Sequence, residues 1–539
     1  MTRLRLLKAP LLIGLALVTL MIPLAALGTP AVAEEGTAAG AAPTEAAPET
    51  PVTAALRAKL AGLQAGGDEQ TGKEIAALTE FYAARKYAPV WIAETGASDK
   101  ARALSAALED ANAYGLEAKD FARPDLGTTS DAERLSSTEL TLSQSALLYA
   151  RHARGGRIMK PAEMLNSNID RRPQLLEPKA VLEGLAQAQA PGTYLVSLHP
   201  KHPQFEKLRQ AFLAAGGAKT GSAAAGGDKV LSTAAKRLRA NMEQWRWMNE
   251  DMGELHVLNN IPEFTQYVYK NGEIIRTEKI VAGMIDKQSS IFSRPLKHVV
   301  LRPKWRVPES IMVHELWPSL LKGGGLMRQY GLQLESKDGR TLDWRRIDWS
   351  KDDIRNYIVT QPPGGKSVLG VVKFSFPSQH TIFMHDTPDK WMFRHSQRTL
   401  SHGCLRVKNP TELAEIVLAY DKGWDKAKVA EQMRSGPLNN EVEMEKRIPI
   451  HLTYFTSWVE KDGKVRAFPD IYGHERRIIQ ALDGQWTKIA KGRDHLAPPQ
   501  PNFSPKAVAA SQPAAAQQQL RQPQTTGDLL SDVFGGLSF

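Results

Sequence analysis

Apolar residues recur at two different spacings along this chain, and the change of spacing divides it. In 98–115, Leu104 and Leu108 lie four apart on one face and Gly115 stands where a C-terminal cap belongs, which predicts a helix. The stretch 142–154 has the same texture, and most of 57–215 reads as helical. A further helical segment at 232–248 is dense in Arg and Trp (Arg237, Arg239, Trp245, Arg246, Trp247). From 255 onward the period shortens to two. Strands are predicted at 255–258 and 264–269, with Asn271-Gly272 as a hairpin turn into another at 274–281. Further strand candidates are 299–301, 371–376 and 381–384. The stretch 318–365 interrupts them with Gly323-Gly324-Gly325, tryptophans and Pro362-Pro363-Gly364-Gly365, and an insertion of this kind between strands predicts a lid. Pro410 then opens a helix with Leu413, Ile416, Val417 and Tyr420 on one face. The expected fold class is α+β and multidomain: a mainly helical N-terminal domain, then a β-rich domain carrying a lid.

Stretches without periodicity supply the boundaries. Residues 34–56 are Ala/Glu/Pro/Thr-rich, 216–228 are Ala/Gly-rich, and the Ala/Gln/Pro-rich end of the chain is expected to be a disordered tail over 491–539. The expected division is a leader at 1–33, a flexible tether at 34–56, a helical domain at 57–215 and a linker at 216–228. The β-rich domain follows at 229–455, and then a segment at 456–490 that packs on both domains.

The leader changes the picture of where the chain works. Arg3, Arg5 and Lys8 precede an apolar run from about 11 to 27, and Ala31 and Ala33 follow in an A-x-A arrangement. That order is a secretory signal peptide; an uncleaved anchor at the inner membrane is the other reading of it. No later run is long and apolar enough to span a bilayer. The 69 Lys+Arg against 58 Asp+Glu give a formal charge of +11, and removal of 1–33 takes three positive charges, 11 − 3 = +8. For an exported chain this favours an anionic polymer such as cell wall over nucleic acid, and the expected compartment is the periplasm. With 42% hydrophobic residues the chain is not wholly disordered, and its single cysteine excludes an intrachain disulfide and a Cys-based zinc cluster.

Candidate chemistry gathers at His385-Asp386-Thr387-Pro388 and Ser401-His402-Gly403-Cys404-Leu405-Arg406. A lone cysteine is most often a small buried hydrophobe. Cys404 has small and polar neighbours instead, and nearby cations favour the thiolate, which is the nucleophilic form. Gly403 permits an unusual backbone, so that the N–H groups of His402, Gly403 and Cys404 could converge on an oxyanion. Two bases compete for the thiol proton. His385 ends a strand, and His402 lies two residues from the sulfur on an extended segment.

A His, fifteen residues, then Ser-His-Gly-Cys and an Arg two positions on resembles the L,D-transpeptidase catalytic domain of the YkuD type. The neighbouring text resembles the large Gram-negative branch of that family, which has an N-terminal helical scaffold domain. The matching pieces are Asn260-Ile261-Pro262, Val281-Ala282-Gly283, 303–308, Pro362-Pro363-Gly364, 369–374, Tyr454-Phe455-Thr456 and Asp470-Ile471-Tyr472, with Tyr87-Ala88-Pro89-Val90-Trp91 in the scaffold. The resemblance covers about 57–490. It implies Cys404 as nucleophile, His385 as general base oriented by the backbone carbonyl of Asp386, and an oxyanion hole at His402, Gly403 and Cys404. It also implies that Arg406 orders the loop or contacts the substrate's carboxylate; Ser401, Asp386 and, in the lid, Trp344 are further expected substrate contacts. The implied reaction is acyl transfer between peptidoglycan peptide stems through a thioester, giving 3→3 cross-links without a cofactor. Water as acceptor would make a carboxypeptidase, and an amine on an envelope protein would attach that protein to the wall; envelope proteins are expected as acceptors or complex partners. A non-catalytic envelope scaffold is the reading from another class. Two departures are visible. The small peptidoglycan-binding module common in the branch does not fit in 190–228, and the branch often has Ser where His402 stands.

Other signals are weaker. Gly364-Gly365-Lys366-Ser367 ends like a phosphate loop, but Thr360 stands where its first glycine belongs. His314-Glu315 begins like a zinc-protease helix, but Pro318 occupies the second histidine position. His385, His402 and Cys404 lack a fourth zinc ligand. A papain-type hydrolase expects its histidine downstream of the cysteine, not upstream. The 245–247 cluster reads as a packing helix between domains, its Arg stems covering apolar surface. Trp344, Arg345, Arg346 and Trp349 are the better candidates for touching an anionic polymer.

Overall fold

The computed structural model describes residues 49–64, 66–93, 95–217, 231–365 and 367–510. The expected signal peptide, most of the tether and linker, and the tail beyond 510 lie outside the described residues. Among the described residues no helix is long and apolar enough to cross a membrane.

The helical region forms around Ala132–Gly155, a 24-residue helix whose Leu142, Ala146, Leu147, Tyr149 and Ala150 are buried. Leu104 and Leu108 pack into the same core from Asp99–Glu109, and Gly115 caps that stretch in the left-handed conformation at φ 71°. The first helix, Pro51–Ala61, begins inside the expected tether. Thr50 accepts from the Thr53 N–H at 3.2 Å, and Leu56 and Leu60 are buried, so a capped amphipathic turn overrides the tether-like composition.

The β-rich domain is built on an eleven-stranded sheet. Its strands are β1 (Leu255–Asn260), β2 (Thr265–Lys270), β3 (Glu273–Gly283), β4 (Ser293–Pro295), β5 (His298–Leu301), β6 (Val372–Ser375), β7 (Met384–His385), β8 (Thr399–Ser401), β9 (Leu405–Val407), β10 (Asn440–Glu443) and β11 (Pro449–Thr453). They run in the order β10-β5-β6-β7-β9-β3-β2-β1-β11-β4, with β8 pairing against β3. The expected hairpin is present: Asn271 and Gly272 take positive φ between β2 and β3. The strand expected at 381–384 is reduced to Met384–His385, because Thr381 turns the chain at φ 52°.

The two domains do not part at 215. Ile158, Leu165 and Ile169, from the helical region, belong to the same core as Val257, Ile280, Phe374 and Leu405. The Ile291 N–H donates to the Asn168 carbonyl at 2.8 Å, and Arg171 donates to Ser293 Oγ at 2.6 Å and to the Leu452 carbonyl. The helix Thr233–Arg246 joins them further. Trp245 stacks between His202 at 4.1 Å and Phe455 at 4.4 Å, Arg239 reaches Glu117 and Asp483, and Glu243 accepts from the Arg157 and Ile158 N–H groups. The Trp/Arg cluster is thus buried packing rather than surface.

The insertion starts earlier than expected. Trp305–Arg306, Gln333–Glu335, Thr341–Leu342 and Ile358–Gln361 form a four-stranded sheet of their own. With the helical stretch 309–321 they enclose a separate core that includes Val307, Met312, Val313, Leu316, Leu334 and Val359. A lid with its own core is a unit from about 305, not from 318. The expected disordered tail is also corrected in part: residues 491–510 are ordered. His495 bonds to Ser167 at 2.9 Å, Phe503 meets the Trp317 ring edge-on at 5.6 Å, and Pro505–Ala510 lies against Trp317–Leu321. Apolar contact with the lid, which composition does not register, outweighs the disorder-prone sequence.

Candidate active site

Strand register sets the site. β6 pairs with β7 so that Lys373 faces His385, and β7 pairs in parallel with β9 so that His385 faces Arg406. Lys373, His385 and Arg406 therefore form one row on one face of three strands, while Phe374, Met384 and Leu405 point into the core. Cys404 directly precedes β9 on the face of that row, and the Leu405 N–H donates to the Phe383 carbonyl at 3.0 Å, locking the two strands together beside it. Base and sulfur thus stand on the same face of strands ~4.8 Å apart. Cys404 is half-buried, and its sulfur lies 3.9 Å from the Thr381 carbonyl.

Electrostatics favour the neutral thiol at Cys404 and the neutral imidazole at His385. Burial pushes the Cys404 thiol up to about 11, against the lowering effects of the Phe383 backbone, Lys373 and Arg406. Burial, helped by the Arg406 charge, depresses His385 to about 3, although the Asp386 backbone works in the opposite direction. His385 Nδ1 is hydrogen-bonded to the Asp386 carbonyl, so this ring nitrogen is the donor and Nε2 is left as the basic one. The Lys373 ammonium lies 4.9 Å from the centre of the Phe383 ring, and burial lowers its pKa.

The loop 401–404 is held from below. Gly403 adopts φ 111°, where only glycine is comfortable, and its carbonyl accepts from Ser289 Oγ at 2.6 Å. Ser401 donates to the Cys404 carbonyl at 2.7 Å and accepts from the Gly403 N–H at 3.3 Å. The backbone N–H groups of His402 and Cys404 take part in no hydrogen bond among the described residues and remain available to an oxyanion. The Gly403 N–H, spent on Ser401, does not join them.

Three of the expected substrate contacts have partners within the chain. Ser401 is buried and serves the loop. The Asp386 carboxylate is buried too: it accepts from the Val371 N–H at 3.1 Å and pairs with Lys390 at 2.5 Å. The Trp344 ring lies over Gly324, with Arg328 stacked on it, and packs against the lid's own core. Trp349 donates to the Trp344 carbonyl at 2.9 Å. Arg406 differs. Its guanidinium is 4.0 Å from Asp389, while its buried Nε has no hydrogen-bond partner.

The lid contributes a residue that the sequence pattern did not single out. Glu315, in the π-turn Met312–Leu316, lies 2.7 Å from His402 Nε2 and 2.7 Å from Lys287 Nζ. Burial works against its ionisation, but His402 and Lys287 outweigh it and hold the carboxyl down at about 2. The only sequence signal at this position was the broken zinc-protease pattern. Among the described residues no cluster of His, Cys, Asp and Glu is arranged to hold a metal ion.

A thiol and an imidazole thus stand on neighbouring strands of a mixed sheet that is joined to a helical region. The chain carries an L,D-transpeptidase catalytic domain, whose family model matches residues 254–430, and a scaffold domain, whose model matches 76–212. It is 28% identical over 237 residues to a Haemophilus influenzae protein described as "Putative L,D-transpeptidase"; the match covers 43% of this chain and 47% of that one. The chain thus spans about half the length of that curated relative. Among solved structures it is similar to an L,D-transpeptidase from Mycobacterium smegmatis, at 13% identity with a TM-score of 0.18, over 37% of this chain and 58% of that one. It is likewise similar to the L,D-transpeptidase LdtMt1 in complex with imipenem, at 16% identity with a TM-score of 0.18, over 37% of this chain and 59% of that one.

Proposed function

We propose that this chain is an exported peptidoglycan L,D-transpeptidase that works in the periplasm and joins peptide stems by 3→3 cross-links. The observation that carries the reading is the placement of the half-buried Cys404 beside the His385–Arg406 row, with a cation at each end of the row. A donor stem enters with its carboxylate toward Arg406, whose unpartnered buried Nε favours an anion. His385 Nε2 takes the thiol proton as sulfur attacks the carbonyl of the third stem residue. Because thiol and imidazole are both neutral at rest, proton transfer and attack are coupled, and no free thiolate waits for solvent or oxidants. The oxyanion is met by the N–H groups of His402 and Cys404. His385 returns the proton to the departing D-alanine amine, leaving a thioester on Cys404. An amine from a neighbouring stem then resolves it.

Two measurements test this. Incubation with a carbapenem, read by intact-protein mass spectrometry, is expected to give one covalent adduct on the wild-type chain and none on Cys404→Ala. Purified protein on tetrapeptide-rich peptidoglycan is expected to yield 3→3 dimers. Tripeptides alone would point to a carboxypeptidase. Unchanged cross-linking of sacculi by a folded Cys404→Ala protein would leave only the scaffold reading.

A further inference from the structure

The second half of the reaction poses a problem that the row Lys373–His385–Arg406 does not solve. The acceptor is a primary amine, cationic at neutral pH, and it must arrive as a cation and attack as a free base. Lys373 and Arg406 repel a cation. His385, buried between them and already hydrogen-bonded at Nδ1, is poorly placed to hold a second positive charge.

An acidic partner meets the same loop through His402. Glu315 reaches over from the lid to His402, two residues before Cys404, and its side chain and that of His402 are each 34% exposed. The carboxylate already holds one primary ammonium, that of Lys287, at 2.7 Å. Charged or titratable groups facing Glu315 are His402, Lys287 and, more remotely, Tyr330, whose hydroxyl also senses Asp389 and Arg406. The carboxylate–imidazole pair has the form of a base with its orienting group: Glu315 fixes the ring through Nε2 and stabilises the imidazolium that forms when Nδ1 takes a proton.

Resting on the transpeptidase reading, we propose that Glu315 and His402 form the acceptor site, where the carboxylate binds a primary ammonium in place of Lys287 and His402 removes its proton. The ammonium gives one proton to His402. The free amine then attacks the thioester, forming the C–N bond, and collapse of the adduct breaks the C–S bond. The second N–H proton returns to sulfur through His385, and the proton on His402 leaves to solvent. His385 thus serves acylation and His402 serves aminolysis.

The test separates the half-reactions. The full-length protein is acylated with a tetrapeptide stem, and the acyl-enzyme is divided among water, a tripeptide stem bearing a side-chain amine, and hydroxylamine, which is uncharged at neutral pH. In Glu315→Gln the ratio of cross-linked to hydrolysed product is expected to fall about tenfold or more at neutral pH and to recover as pH rises, because the amine then arrives deprotonated. Capture by hydroxylamine is expected to match wild type. Glu315→Asp should restore part of the ratio. An unchanged ratio in Glu315→Gln overturns the acceptor site, as does a parallel loss of hydroxylamine capture, which would mark a structural role. If the wild-type chain forms no acyl-enzyme at all, the transpeptidase reading fails and this site with it.

Discussion

Lys373 stands directly opposite His385 on the neighbouring antiparallel strand, so the imidazole has a lysine on one side and Arg406 on the other. The lysine is close enough for its charge to lower the thiol pKa and the imidazole pKa together. In Lys373→Ala the thiol loses one of its two cationic supports. Acylation by a carbapenem is expected to slow by roughly tenfold at neutral pH and its pH profile to move to higher pH, since Arg406 remains. Stopped-flow acylation rates between pH 6 and 9 check this; an unmoved profile refutes it.

Gly370 has φ 59°, and a Cβ there would fall 2.1 Å from Asp386 Oδ2. Gly370→Ala therefore strains the backbone and pushes on the residue whose carbonyl orients His385. The expected cost is about 1–3 kcal/mol of stability together with a marked loss of acylation. Thermal unfolding and adduct formation measured on the same sample test both effects.

Arg171 ties the helical region to the sheet by bonds to Ser293 and the Leu452 carbonyl. Arg171→Met keeps the apolar stem but removes both bonds, leaving Ser293 Oγ with His451 Nδ1 at 2.8 Å. A loss of roughly 1–3 kcal/mol is expected, read as a lower urea midpoint. Separation of the unfolding transition into two steps would show that this contact also couples the domains.

Burial holds His385, His451 and His474 down to about 3, each below its ordinary value of 6.5. A folded-state pKa below the unfolded one means that the unfolded chain binds more protons in that window. The stability contributed by the neutral rings is complete above about pH 6.5 and is lost as pH falls toward 3. Urea midpoints are expected to drop steadily from pH 7 to pH 4. A flat dependence over that range contradicts the burial argument.

Phe503 packs on Trp317, so the C-terminal stretch braces the lid. Truncation after 495 removes this contact without touching His495. Faster amide hydrogen exchange is expected in 309–329, with little change in β1–β3. Unchanged exchange in the lid would make the contact incidental.

The candidate thiol and its two candidate bases were legible because they are local: His385, Ser401, His402, Gly403, Cys404 and Arg406 fall within twenty-two residues, and the chemistry of each residue type is intrinsic. The helical and β-rich halves were legible because hydrophobic period is a local property, as Leu104, Leu108 and the Asn271-Gly272 turn illustrate. Local reading failed where one residue has two plausible employments. Ser401, Asp386 and Trp344 are polar or aromatic near a site, and only burial and partners reveal that Ser401 and Asp386 shape the loop and that Trp344 fills the lid.

Sequence alone determined the candidate groups, the order of the helical and β-rich regions and the charge of the chain, because these follow from residue type and near-neighbour spacing. Tertiary structure alone decided the pairing of those groups. Lys373 beside His385 is a matter of strand register across twelve residues of chain, and Glu315 beside His402 is the meeting of a lid and a loop 87 positions apart. Contacts of that range depend on how strands align and where an inserted unit comes to rest, which no local period encodes.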